Sequence, residues 1–246
     1  EKQLGRVRHL LEALLGHLED ADFVSCAEPV LDRTQDAERV AAITFEVTGR
    51  TPILIPARKG RALSAEPVAG MKVGKGYVSG DKTIGEPMDF SSKNRISLSD
   101  LQDLLVKVVR PDVELGTPAT TLTPEHRALL VGAMTRYPRE SENPRYAEKD
   151  YPDHYAKFLL PGIRRVFPST TPGERIEVTG KIGRAYGFSV ENACLMDPRT
   201  GRTVFVTATV YTNSDGVLND DRYEYDTVAD PFFADLGEWV ARRWFR

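Results

Sequence analysis

Apolar residues recur at two different spacings along the chain, and these spacings predict helices in some segments and strands in others. In residues 4–20 they lie three or four positions apart, as on one face of an amphipathic helix. The same spacing follows Ser97 or Ser99, and again follows Thr123, side chains that can cap the first turn of a helix. Pro111 ends the first of these two capped segments. The sequence therefore predicts three helices in this part of the chain.

Three strand-like segments follow one another later in the sequence, at residues 175–181, 186–196 and 203–212. Residues 197–201 have turn composition, so we predict that the last two strands form a hairpin. The strand at 203–212 has apolar side chains on both faces, as expected of a strand in the interior of a sheet. A closing amphipathic helix is predicted at residues 230–245. Its buried stripe is expected to consist of Phe232, Phe233, Leu236, Trp239, Val240 and Trp244.

The remaining segments lack a long hydrophobic period. Residues 40–46 and 52–56 predict two short strands around a turn. Residues 57–93 are rich in Gly, Lys and Ser, which predicts an irregular loop region. Residues 138–174 contain six prolines, too many for a continuous helix or a central strand, so we predict mostly loop there.

These elements predict an α/β fold class of the α+β type, with an antiparallel sheet and separate helices. We expect residues 1–246 to form a single domain. Within it, residues 1–174 make up the helical and irregular region. Residues 175–246 make up a β-meander that is closed by the C-terminal helix.

Composition excludes several classes of function. The 246 residues are 41% hydrophobic, which is typical of a globular protein. A formal net charge of −3 leaves no basic field to attract phosphate backbones, so we predict no nucleic-acid partner. The longest apolar runs, such as residues 204–210, are far shorter than the roughly 20 residues that a bilayer requires. We therefore predict no transmembrane segment.

No metal ion or other cofactor is predicted. The two cysteines, Cys26 and Cys194, neither demand nor exclude a disulfide. Residues 213–221 are rich in oxygen ligands and could hold a cation such as calcium, but their spacing fits a capped, solvated turn better. Residues 70–76 lack the spacing of a phosphate-binding loop. The histidines show no metal-ligand spacing beside a carboxylate: His9, His17, His126 and His154.

Five stretches of the sequence together resemble a family of serine hydrolases, the β-lactamase-like and penicillin-binding-protein-like enzymes. They are VGKGYVSGD (73–81), PMDFSSKNRISLSDLQDLL (87–105), KFLLPG (157–162), GKIGRAYGF (180–188) and NDDRYEYDTVADPFFADLG (219–237). The resemblance runs from about residue 22 to residue 246. It implies the sandwich of that superfamily, with an antiparallel sheet, helices on both sides of it and a mostly helical subdomain.

The resemblance also implies a site. Enzymes of this kind acylate a serine in a Ser-x-x-Lys pattern at a helix start, and a Ser-x-Asn element and a Lys-Thr-Gly strand complete the site. Lys181-Ile182-Gly183 matches the third element, with isoleucine in place of the hydroxyl residue. By this resemblance Lys181 supplies positive charge that faces the serine, and Gly183 lets substrate approach the strand. On the motif alone, the competing interpretation is a surface lysine beside a β-turn.

The first two elements match poorly. Ser79-Gly80-Asp81-Lys82 fits the nucleophile pattern by its letters, but it contains glycine and no apolar helix follows it. Residues 141–143, Ser-Glu-Asn, come after the second capped helix and lie between prolines. We therefore expect the chain to begin after the two missing elements. A start at Glu1 without an initiator methionine or a leader suits a processed protein or a fragment.

Two functions follow from these expectations. The first is a catalytically incomplete β-lactamase-like domain that acts as a structural or accessory subunit, with another protein chain covering the edge of the 203–212 strand. The second is a serine hydrolase for an ester, amide or lactam, whose nucleophile lies on a preceding segment or a companion chain. Whether this chain is an enzyme stays open, with inactivity of the chain alone expected. The compartment is also open, since a removed leader would suit an exported, periplasmic protein or an organelle-imported, mitochondrial one.

Overall fold

The structure is a computed structural model, and it describes residues 39–40, 42–45, 51, 53–59, 69–91, 96–115, 122–142, 144–168 and 175–246. The helix predicted at residues 4–20 lies outside the described residues, as do Cys26, His9 and His17. Two compact units are present, Glu1–Gly76 with Gly85–Ile96, and Tyr77–Ile84 with Ser97–Arg246. Compact units need not be separate folding domains, so the single domain stays a prediction.

The described elements are mostly short before residue 98 and long after residue 176. The strands are β1 (Arg39–Val40), β2 (Ile43–Phe45), β3 (Ile53–Ile55), β4 (Arg58–Lys59), β5 (Lys72–Val73), β6 (Gly76–Ser79), β7 (Lys82–Ile84), β8 (Met88–Asp89), β9 (Glu177–Ala185), β10 (Phe188–Asp197), β11 (Arg202–Tyr211) and β12 (Val217–Leu218). The α-helices are α1 (Leu98–Val109), α2 (Pro124–Thr135), α3 (Leu160–Val166) and α4 (Asp230–Trp244).

The first unit contains three antiparallel strand pairs, β1 with β4, β2 with β3, and β5 with β8. The strands predicted at residues 40–46 and 52–56 are confirmed as β2 and β3, which pair Ile43 with Ile55. The irregular loop predicted at residues 57–93 is wrong in part, because β4 to β8 lie within it. Strands of two to four residues are too short to produce a readable alternation of apolar and polar positions.

The second unit is built on a three-stranded antiparallel sheet with the order β11-β10-β9. The predicted hairpin is confirmed, and it pairs Leu195 of β10 with Val204 of β11. At the turn between β9 and β10, Tyr186 and Gly187 have φ angles of 54° and 83°. Two successive positive φ angles are typical of the tight hairpin turns whose twist matches that of the strands. The strand at 203–212 was predicted to lie in the interior of a sheet. Among the described strands, β11 has one neighbour and lies at the edge.

Helices lie against both faces of this sheet. Because side chains alternate across a strand, Val178, Ala193 and Leu195 share one face, and they form a core with α3 and α4. Asn192 points to the opposite face, where its amide donates to the Leu101 carbonyl of α1 at 2.8 Å. On that face the Thr135 hydroxyl of α2 is 2.7 Å from the Thr179 hydroxyl of β9. The mixed α+β class with an antiparallel sheet is confirmed.

Two glycines let α3 and α4 approach closely. A Cβ atom added to Gly162 would lie 1.6 Å from the Ala234 carbonyl oxygen, and one added to Gly237 would lie 2.2 Å from the Leu159 carbonyl oxygen. Neither position can hold a side chain without moving backbone. Residues 138–174 were predicted to be mostly loop without a continuous helix, and within them the structure has the seven-residue helix α3. Pro161 is compatible with this helix because it lies in the first turn, where no N–H donor is needed.

The predicted buried stripe of the closing helix is correct on one side only. Phe233 and Val240 of α4 are buried. Phe232, Trp239 and Trp244 are 41%, 59% and 42% exposed, so these three assignments are wrong. Apolar residues cover more than one face of this helix, and helical spacing alone could not tell which face meets the core. No helix in the described part of the chain is both long and apolar enough to cross a membrane.

Candidate functional site

Lys181 and Gly183 both lie on β9, where they face Asn192 and Val190 of β10. Lys181 is exposed, and its Nζ donates a hydrogen bond to the Ile182 carbonyl. A Cβ atom added to Gly183 would lie 2.9 Å from the Cγ1 atom of Val190. A larger side chain at this position would therefore require the Val190 side chain to shift. The catalytic roles suggested for Lys181 and Gly183 stay predictions.

The edge of β9 that faces away from β10 is covered by Lys157 near its start and runs on past Lys181. Lys157 Nζ donates to the Val178 carbonyl at 2.6 Å, so that carbonyl points away from β10. Backbone groups of alternate residues point to the same edge of an antiparallel strand. Gly180 and Ile182 therefore also direct their N–H and C=O groups away from β10. The described strands place no partner beside them.

Ser79 and Lys82 lie opposite each other at the ends of β6 and β7. Gly80 between them has a φ of 57°, and the four residues form a β-hairpin turn. A serine in a Ser-x-x-Lys pattern of this kind acts from the start of a helix. Ser79 and Lys82 lie in a hairpin turn, so they do not have that setting. Ser79 begins the one Ser-x-x-Lys pattern in the sequence.

The second poorly matching element is described only in part. The Ser141 hydroxyl donates to the Pro144 carbonyl at 2.7 Å, directly after the short helix Pro138–Glu140. Asn143 lies outside the described residues. The hydroxyl of Ser141 thus closes a local turn.

Lys157 forms a buried cation that the sequence-based reasoning missed. It is 1% exposed, and its Nζ donates to the Met134 carbonyl of α2 at 2.9 Å as well as to Val178. The ring centroid of Tyr137 lies 5.5 Å from the same atom. Burial lowers the pKa of Lys157 to about 8, and the negative charge of Glu191 opposes that lowering.

Glu191 is the buried anion of the same region. Its side chain is fully buried on β10, and its Oε2 accepts a hydrogen bond from the Phe158 N–H at 2.6 Å. Its Oε1 has no hydrogen-bond partner among the described residues. Burial raises the pKa of Glu191 to about 7, against the lowering effects of the Phe158 and Leu159 amides and of Lys157. One sequence signal could have found it, since Glu191 alternates with the inward-facing Ala193 and Leu195.

The oxygen-rich turn uses its side chains on its own backbone. Asn213 accepts from Gly216 N–H at 3.0 Å, and Asp215 accepts from Val217 N–H at 2.8 Å. Asp220 accepts from Arg222 N–H at 3.0 Å. These bonds agree with the interpretation of residues 213–221 as a capped turn. Within the described ranges, no group of His, Cys, Asp and Glu has an arrangement that could hold a metal ion.

The two described histidines and Tyr225 have structural positions in the fold. His126 is buried near the start of α2, and His154 lies in the short helix Asp153–Ala156. The Tyr225 hydroxyl accepts from the Gly187 N–H at 2.8 Å, and the Arg184 guanidinium lies 4.7 Å from the Tyr225 ring centroid. Tyr225 therefore supports the turn between β9 and β10.

Comparisons with protein-family models, with curated proteins and with solved structures found no match. The resemblance to β-lactamase-like serine hydrolases accordingly stays a prediction.

Proposed function

We propose that this chain is a catalytically incomplete β-lactamase-like domain that acts as an accessory subunit of a larger assembly. The observation that carries the proposal is the position of β11, a ten-residue strand at the end of its sheet among the described strands. A strand supplied by another protein chain is the partner that this edge fits, because main-chain hydrogen bonds would extend the sheet.

The backbone of β11 provides the hydrogen-bonding groups for such a partner. The Val178 carbonyl points away from β10. Because backbone groups alternate in direction along the paired strands, Val206 and Ala208 of β11 direct their N–H and C=O groups toward β10. Phe205, Thr207 and Thr209 consequently turn their N–H and C=O groups outward. The edge is long enough to pair with a strand over several such residues.

The nucleophile pattern supports the non-catalytic part of the proposal. Ser79 lies in a hairpin turn and Lys82 faces it from the opposite strand. Within the described segments, neither Ser97 nor Ser99 at the start of α1 has a lysine three residues later, since Asp100 and Gln102 occupy those positions. Lys181 would then be a remnant of the third element, with no serine to act upon.

A serine hydrolase remains the second candidate because of the exposed Lys181 and the open edge of β9. In that function the nucleophile would come from another segment or a companion chain, and the edge at Ile182 would hold an ester, amide or lactam substrate. Lys181 would contribute positive charge to the site.

A covalent serine probe tests the proposal directly. The purified chain is incubated with a fluorophosphonate and, separately, with a fluorescent penicillin, and intact mass is recorded beside a serine β-lactamase as positive control. We expect no adduct on this chain. A stoichiometric adduct would overturn the proposal, and Ser79→Ala would then show whether Ser79 carries it.

A pair of substitutions at Thr209 tests the proposed assembly. Thr209 is exposed, and its hydroxyl donates to the Ser189 carbonyl at 3.0 Å. Thr209→Pro removes this hydroxyl and the outward N–H, whereas Thr209→Ala removes the hydroxyl and keeps the N–H. In extracts of the source cells, the wild-type chain and Thr209→Ala should elute together in an assembly, and Thr209→Pro should elute at monomer size with an unchanged circular dichroism spectrum. Elution of all three at the same size would contradict pairing through β11.

A further inference from the structure

The chain enters α3 through Lys157 and Phe158, and both residues are tied to the sheet. Lys157 Nζ binds the carbonyl of Val178 on β9 at 2.6 Å and that of Met134 on α2 at 2.9 Å. The Phe158 N–H donates to Glu191 Oε2 on β10 at 2.6 Å. Two buried ionisable side chains therefore fix one short segment to two strands and a helix.

The groups around this pair do not fully offset the cost of burying a charged carboxylate at Glu191. The positive charges of Lys157 and Lys181 act on it, and its Oε1 lacks a hydrogen-bond partner among the described residues. Arg184, on the same face of β9, is engaged by Asp230 and by the Ser189 hydroxyl. The negative charges acting on Lys157 are those of Glu191, Glu140 and Glu177.

We propose that Lys157 and Glu191 form a proton-operated latch, which holds residues 157–159 tightly against β9 and β10 when Glu191 carries a proton and loosens them when Glu191 ionises. An ionised carboxylate inside the core is a desolvated charge, and the neutral acid carries no such charge. Opening the segment to water relieves the cost of that charge, so it favours the open state most when Glu191 is ionised.

The direction of the pH effect follows from the burial of Glu191. Its pKa is raised to about 7 in the closed state, and an exposed glutamate has a pKa of about 4.3. The closed state therefore binds the proton more tightly than the open state. Its gain in free energy over the open state is lost as the pH rises through about 7. Lys157, whose pKa is lowered to about 8, is still mostly charged at pH 7 and is half charged at pH 8.

Loosening of residues 157–159 would also change the contacts along the outer edge of β9. Lys157 holds the Val178 carbonyl, and Val178 lies three residues before Lys181 on the same strand. A looser latch would thus free the part of the outer edge that leads to Lys181. This inference is independent of the proposed accessory function, since it requires neither a partner strand nor a nucleophile.

Amide hydrogen exchange of the full chain at pH 5.5 and pH 8 tests the latch. After correction for intrinsic exchange rates, the protection of the Phe158 and Leu159 amides should be on the order of tenfold lower at pH 8 in the wild-type chain. Glu191→Gln should show equal protection at both pH values because its side chain cannot ionise. Glu148→Gln, a change at an exposed loop residue, should behave as the wild type does.

Equal protection at both pH values in the wild-type chain would overturn the latch, as would an unchanged pH dependence in Glu191→Gln. If Glu191→Gln does not fold, carbon NMR of the wild-type chain labelled at glutamate carboxyl groups replaces it. One carboxyl that titrates near pH 7 is then expected. Titration of every glutamate below pH 5 would refute the proposal.

Discussion

At the residue scale, Glu191 and Lys157 determine how stability depends on pH. Burial raises the pKa of Glu191 to about 7, so its contribution to stability is complete in acid and is lost as the pH rises through 7. Burial lowers the pKa of Lys157 to about 8, so its contribution is regained above pH 8, as the lysine loses its proton. The pair should therefore be least stabilising between pH 7 and pH 8.

Urea unfolding of the wild-type chain and of Glu191→Gln measures this effect. The free energy of unfolding of the wild-type chain, relative to that of the variant, should fall between pH 5 and pH 7.5 by on the order of 3 kcal/mol. A difference between the two proteins that does not change with pH would contradict the assignment of the buried charge to Glu191.

Cys194 gives a second prediction at this scale. The thiol is buried in the sheet, and burial raises its pKa to about 12, so the reactive thiolate is scarce. In a Cys26→Ser background, a disulfide reagent such as Ellman's should leave Cys194 unmodified at pH 8 and should modify it fully in urea. Rapid reaction of the folded protein would show that this face of β10 is open to solvent.

Among single residues, the predicted strand at 175–181 included Lys181 but ended before Gly183, which β9 also contains, and sequence patterns missed the buried pair. Lys157 and Glu191 are residue types that are usually solvated, and only the tertiary packing of α3 on the sheet puts them inside. Gly183 was interpreted through a motif, whereas in the structure its nearest neighbour is the Val190 side chain on β10. Residue identity fixes what a side chain can do, and its neighbours determine which role it has.

At the element scale, the crossing of α3 and α4 depends on Gly162 and Gly237. Gly162→Ala and Gly237→Ala should each lower the free energy of unfolding by about 3 kcal/mol or more, because the new Cβ atoms would meet backbone. Gly132→Ala on α2 is the matched control, since nothing lies within 4 Å of its added Cβ atom. It should stabilise the protein by about 1 kcal/mol. Urea unfolding distinguishes the two cases, and a wild-type stability for Gly162→Ala would contradict this packing.

Long, regular elements were predictable from the sequence, and short ones were not. The β10–β11 hairpin and the capped helices α1 and α2 follow from local alternation, turn composition and capping side chains. The seven residues of α3 include Pro161 and begin in a proline-rich segment, so local signals favoured loop. Its helical state depends on contacts with α4 that lie some 70 positions further along the chain.

At the scale of the whole molecule, one edge of the main sheet, that of β11, carries the proposed function. The edge of β9 is partly covered by Lys157, whereas β11 presents outward backbone groups along its length. The apolar faces of β11 suggested an interior strand, and a strand from another chain would make it one. The apolar pattern alone could not show that β11 has one neighbour among the described strands, because it records which faces are covered and not which strand pairs with the edge.

Residue-resolved amide hydrogen exchange of the purified, monomeric chain tests the open edge of β11 most directly. The outward amides of Phe205, Thr207 and Thr209 should exchange on the order of a hundredfold faster than the inward amides of Val206 and Ala208, which bond to β10. Equal protection of both sets in the monomer would mean that the chain covers this edge by itself. That result would contradict the proposal that β11 is the docking strand for another protein.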